Sequence, residues 1–224
     1  MIEATFISEE FKRFLLVTSD IAVVTNAILL TLITVSLSAF YGLTCFYIKI
    51  LCYHTKLLVR NVREISECKP IIYKYLKIRN IMESLEHFMC FSAFILIVNG
   101  MTGIFWLSYS VIFLTIDGYR HYMSCMAAEV FHCFIIGMVI ISASDANTAA
   151  DVAKEAVMSL PGKIPQYYTE LKAILRKDCK QNVNLTLWKM YKIDRSLIIC
   201  ALGVLMNYGI LIATLGTVST RSDK

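Results

Sequence analysis

The 224-residue chain is 57% hydrophobic and 17% charged, where an average soluble domain carries roughly 25% charged residues, and its net charge is +5. With a mean hydropathy of +0.62 it reads as a membrane protein, and its long continuous apolar runs exclude an outer-membrane barrel, whose strands alternate in pieces of about 10 residues. Its eight cysteines form no CxxC pair and read as reduced or buried thiols. No nucleophile, phosphate loop or zinc cluster emerges, so no catalysis, metal, cofactor or nucleic-acid binding is expected.

Taken in order, residues 1–20 carry four acids and no cleavable signal pattern. Four apolar runs follow, each able to supply the roughly 20 residues of a helical span, at 21–53, 87–116, 122–144 and 196–218. They leave a basic loop at 54–86, a short turn at 117–121, a second basic segment at 145–195 and a tail at 219–224. Lysines and arginines divide 16 to 5 in favour of the two long segments, which the positive-inside rule puts in the cytoplasm with both termini outside. The expected architecture is all-α, a polytopic membrane protein of four transmembrane helices with cytoplasmic helical extensions. An acidic N-terminal segment would cross the membrane unaided in that topology. A simpler expectation is that an odd number of spans precedes it and that the chain is the C-terminal portion of a longer protein.

Pro70, Pro161 and Pro165 all lie in the basic segments and read as helix breaks. Leu57, Leu58, Val62 and Ile65 repeat at helical spacing before Pro70, and Ile71, Ile72, Tyr75, Ile78, Met82 and Leu85 do so after it. The first two spans should therefore continue as helices beyond the lipid. Residues 147–160 and 166–180 should form two further amphipathic helices flanking PGKIP. Their apolar faces predict either a membrane-proximal bundle or helices lying flat on the lipid surface.

In the last span, Cys200, Gly203, Asn207, Ile210, Thr214 and Thr217 share one arc, small or polar except at Ile210. Such a stripe suits a helix–helix seam. It equally suits a water-filled pore lined by amide and hydroxyls, with Ile210 as a constriction that closes by dewetting. Asp194 and Arg195, at the cytoplasmic start of this span, read as a helix-end anchor or as partners for charges in the basic bundle.

The stretch WKMYKIDRSLIICALGVLMNYGILIATLGT, residues 188–217, resembles the end of arthropod gustatory receptors, the chemosensory family that includes sugar and trehalose receptors. That family's last span reads Thr-Tyr, five apolar residues and Gln-Phe, after an Ile-Asp-Arg-Ser-like lead-in. Ile193, Asp194, Arg195, Ser196 and Tyr208 match; Asn207, Thr214 and Leu215 depart from it. The resemblance implies the last four spans of a seven-helix chemoreceptor with a cytoplasmic helical anchor. It also implies a plasma-membrane, ligand-gated, nonselective cation channel, a homo- or hetero-oligomer and usually a tetramer, opened by a small-molecule tastant. Thr214 would then hold the place of the pore glutamine and Leu215 that of the gate phenylalanine, whereas periodicity selects Ile210. An accessory or structural membrane protein whose stripe is only a packing seam remains the alternative.

Glu129 is the one acid within a span, about 10 Å from its outer end by helical rise, and His132 lies one turn on. With Trp106 and Tyr109 of the second span these residues are candidates for a ligand pocket. A protonated glutamate bonded to a neighbouring helix, and interfacial aromatic anchors, are the plainer readings. Glu129-x-x-His132 lacks the second motif and the extra carboxylates that a di-iron site needs. Asn26 and Asn99 read as interhelical hydrogen-bonders. Asn184-Leu185-Thr186 matches a glycosylation acceptor, which a cytoplasmic location would leave unmodified.

Overall fold

The structure is a computed structural model that describes residues 9–62, 64–113, 119–163, 168–178 and 183–222. Its elements are α1 (Glu9–Asn61), α2 (Ile65–Phe113), α3 (Tyr119–Met158), α4 (Leu160–Lys163), α5 (Tyr168–Asp178), a hairpin of β1 (Thr186–Leu187) and β2 (Tyr191–Lys192), and α6 (Ser196–Ser222). The chain is thus all-α apart from one small hairpin. Three stretches are long and apolar enough to cross a membrane, Phe11–Asn61, Ser66–Val111 and Tyr122–Lys163, while the apolar part of the last helix, Ser196–Leu211, is shorter. That arrangement is compatible with a multi-pass membrane protein.

Helix length explains why these elements cannot lie wholly in lipid. At 1.5 Å per residue, α1, α2 and α3 run about 80, 74 and 60 Å, against a hydrocarbon core of about 30 Å. The expected continuation of the first two spans as helices is therefore present in α1 and α2. Two details differ from the sequence reading. Helix α1 ends at Asn61 and α2 begins at Ile65, and Pro70 sits inside α2, in its second turn. A proline there forfeits one backbone bond near an end where unbonded groups already concentrate, so it is tolerated. Residues 147–158 are the continuation of α3 and not a separate helix, because alanines and the absence of glycine or proline from 138 to 158 let the third span run on. The chain breaks at Ser159, whose hydroxyl bonds the Ala156 carbonyl at 2.7 Å, and Pro161 and Gly162 then lie within α4. Pro165 lies outside the described residues.

The chain divides into two compact units, residues 1–37 and 38–224. In the first, α1 exposes large apolar side chains on several sides, with Phe14, Leu16, Val23 and Leu30 all more than 60% exposed. Thr18, Thr25 and Thr31 turn their hydroxyls back to carbonyls of their own helix. Hydroxyls satisfied within the helix beside such exposed apolar side chains suit a hydrocarbon surround. Asn26 is exposed here, as is Asn99 of α2, and among the described residues neither makes the expected interhelical bond.

In the second unit the core runs along the facing sides of α1, α2 and α3. Tyr41, Cys45, Ile48, Cys52 and Val59 of α1 are buried, with Ile71, Ile72, Tyr75, Ile78, Met82 and Leu85 of α2. Ala143, Ala146, Ala149 and Ala153 of α3 complete it. The apolar face that the sequence puts beyond the lipid is therefore covered by other helices, which favours the bundle over helices lying flat. Closest approach comes at two glycines of α2. A Cβ on Gly100 would lie 2.7 Å from Ile136, and one on Gly103 2.6 Å from the His132 ring. Small residues here let two membrane-type helices make dispersion contact along their length.

Candidate functional site

The last helix is preceded by a tightly held hairpin. Leu187 and Met190 close its turn with a 2.9 Å backbone bond, and the two residues between them, Trp188 and Lys189, have φ of 47° and 59°. Side chains of that size in the left-handed region cost about 1–2 kcal/mol each. Contacts to α2 offset that cost. The Trp188 ring packs on Phe94 at 5.2 Å and edge-on to Phe91 at 5.8 Å. The Glu86 carboxylate accepts the Thr186 amide at 2.8 Å and the Thr186 hydroxyl. From α3, Asn147, 1% exposed, donates to the carbonyls of Leu185 and Ile193 at 3.0 and 2.9 Å and accepts the Leu185 amide at 2.7 Å. The segment 145–195, where helices are expected at 147–160 and 166–180, is thus helical to Met158 and over α4 and α5, and extended in the hairpin before α6.

Asp194 starts the last helix. Its Oδ1 accepts the Ser196 amide at 3.0 Å and the Ser196 hydroxyl at 2.5 Å, an N-cap that holds the carboxyl below its usual range. Arg195 points to α3, where its Nη2 meets Asp145 at 2.8 Å, and the other oxygen of Asp145 accepts Lys49 of α1 at 2.7 Å. One carboxylate therefore ties α1, α3 and the first turn of α6. Hydrogen bonds from Lys49 and then Arg195 depress the Asp145 pKa. A depressed carboxylate contributes stability that is present above its unfolded value of about 4 and is lost as pH falls through the folded value. The difference in unfolding midpoint between the parent chain and Asp145→Asn is accordingly expected to stay constant from neutral pH to about 5 and to vanish below the folded pKa. A pH series of thermal melts in detergent reads it.

Within α6, Leu197, Ile198, Ala201, Leu205 and Gly209 are half-buried, and this face meets α2. Cys200, Gly203, Asn207, Ile210 and Thr214 are exposed. At about 100° per residue the two sets centre about 180° apart, so the polar stripe faces directly away from the helix's own packing surface. A Cβ on Gly203 would meet nothing within 4 Å. The stripe is thus not a seam between described helices of this chain. The Thr214 hydroxyl bonds the Leu211 carbonyl at 2.8 Å. The side chains of Leu215 and Thr217 lie outside the described residues. Tyr208 sits at the edge of the packed face, its ring edge-on to Phe105 at 5.9 Å, beside a cleft of about 220 Å³ shared with Met101 and Val204.

The four candidates for a ligand pocket separate into two sets. Glu129 accepts the Ser108 hydroxyl at 2.9 Å and His132 lies over Gly103, so both belong to the α2–α3 contact. Trp106 and Tyr109 stack on each other at 6.0 Å, with Trp106 62% exposed, on another side of α2. Among the described residues no group of three acids, histidines or cysteines is placed to hold a metal. Sequence reasoning passed over Asn147, Glu86, Trp188, Lys49 and Asp145. Asn147 alone left a signal, an amide on an otherwise alanine-lined helical face. No family model matches the chain, and no curated protein matches it significantly.

Proposed function

We propose that the chain is a gustatory-receptor-like subunit of a ligand-gated, nonselective cation channel of the plasma membrane. It crosses the bilayer four times and assembles as an oligomer, a tetramer by resemblance, in which α6 of each subunit lines a central pore. The observation that carries this reading is the exposure of Asn207, Ile210 and Thr214 on the side of α6 opposite its packed face. The Asn207 amide, exposed on that side, is costly against lipid and well placed against water. The tie of Arg195 to Asp145 and Lys49 supplies a mechanical link. Movement of α1 or α3 reaches the first turn of α6 through one carboxylate, and ligand binding in the outer halves of the spans biases that movement.

Cysteine accessibility tests the pore. In a background with Cys133 and Cys200 replaced by serine, cysteines placed at 207, 210, 214 and 217 are expected to react with a membrane-impermeant thiol reagent and to change sodium and potassium conductance. A cysteine at 205, on the half-buried face opposite the stripe, is expected to be protected. Four unreactive positions would sink the pore reading in favour of an accessory protein whose stripe is an assembly seam between copies.

A further inference from the structure

Where the last turns of α1 meet the end of α3 and α4, a cleft of about 340 Å³ opens at the basic end of the bundle. Three cations line it, Lys56 and Arg60 from α1 and Lys163 from α4, together with the Tyr53 phenol. Leu57 and Ala156 make an apolar wall, and among the described residues no carboxylate lines the cleft. Lys163 donates to the carbonyls of Val59 at 2.8 Å and Arg60 at 3.4 Å, the last carbonyls of α1. Those carbonyls form the negative end of a long helix dipole and would repel an anion. With Lys163 on them, that repulsion is cancelled and one of its three N–H groups still points elsewhere. Among the described residues, Lys56 and Arg60 make no ion pair and the Tyr53 hydroxyl makes no hydrogen bond. Another groove, by contrast, carries two carboxylates, Glu83 and Glu86, beside the single ammonium of Lys189, a lining that does not suit an anion.

Three converging cations with a phenol donor and an apolar wall match the chemistry of an organic phosphate: a dianion with three acceptor oxygens on a carbon skeleton. Depth along α1 fits the same ligand. Lys49, which through Asp145 is level with the start of α6, precedes Lys56 by about 10 Å and Arg60 by about 16 Å of helix rise. That is just beyond the headgroup layer if α6 enters the hydrocarbon at Ser196. We propose that this cleft is a binding site for a phosphate monoester, presented by an anionic inner-leaflet lipid or by a soluble inositol or sugar phosphate. The site does not depend on the channel reading.

The test titrates the full chain in neutral phosphatidylcholine nanodiscs with soluble inositol trisphosphate, and the detergent-solubilised chain with short-chain phosphatidylinositol bisphosphate, both at about 0.15 M salt. The double variant Lys56→Gln/Arg60→Gln is expected to weaken binding roughly tenfold or more. Lys74→Gln/Lys77→Gln, an equal loss of exposed charge elsewhere on the basic side, is expected to change it by less than about threefold. Both pairs are exposed, and circular dichroism confirms that the helices persist. Selective loss with the lipid alone assigns the lipid source, and selective loss with both probes assigns the phosphate itself. Absence of binding to either probe, or equal loss in the two double variants, overturns the site.

Discussion

Asn147→Leu is expected to destabilise the chain by roughly 3 kcal/mol or more and to release the hairpin from α3. The amide makes three hydrogen bonds to backbone that is itself buried, since Leu185 is 1% exposed and Ile193 is fully buried. The Leu185 carbonyl keeps a second donor, the Ile193 amide at 3.1 Å. The Leu185 amide and the Ile193 carbonyl lose the side-chain partner and stay out of water, at about 1–3 kcal/mol each. Leucine also brings a branched apolar tip against those polar groups, which adds to the cost. The expected readout is a lower unfolding midpoint in detergent, with tryptic cleavage after Lys189 and Lys192 appearing under conditions where the parent chain resists. Asn99→Leu provides the comparison: its amide is exposed, so its effect should stay within about 0.5 kcal/mol. Equal midpoints for the two variants would show that the hairpin is held by Trp188 and Glu86 without help from Asn147.

The reach of the sequence can be judged from these same residues. Continuous apolarity and helical spacing at Ile71, Tyr75, Ile78 and Met82 identify long helices that run past the lipid, because burial of a helix face leaves a local periodic mark. The hairpin leaves none. Its strands are two residues each, its turn uses tryptophan and lysine where glycine or asparagine would announce it, and its anchors lie about 40 to 100 residues away in Asn147 and Glu86. Asp145 was equally hidden. Its role depends on Lys49, 96 positions earlier, and Arg195, 50 positions later, and no spacing rule connects the three. Pro70 misled for a local reason: a proline reads as a break wherever it stands, yet near a helix start it costs one bond only. The stripe on α6 was legible as a stripe. Which way it faced was not, because periodicity groups residues on an arc without saying what lies opposite them.

Replacement of Ile210 with asparagine is expected to give ligand-independent current, and the size of the effect follows from what closes a narrow pore. On the proposed arrangement each subunit contributes one isoleucine to a ring among Asn207, Thr214 and Gly203, and Ile210 is 60% exposed and unpacked in the single chain. Wetting an apolar side chain of that size costs about 2–3 kcal/mol, so a ring of several such side chains favours a dry, closed constriction. Removing even about 1.4 kcal/mol of that barrier raises the open fraction tenfold while the channel is mostly shut. Leu215→Asn discriminates between the two gates, since the resemblance puts the constriction at 215 and the exposed stripe puts it at 210. Leak confined to the 210 variant assigns the gate to the stripe. Leak confined to the 215 variant means that α6 turns by about 100–150° in the assembled channel relative to the single chain, bringing the Leu215 side toward the axis. Silence from both, with normal surface expression, would mean that neither residue meets water, and the last helix would then be an assembly element and not a conduction path.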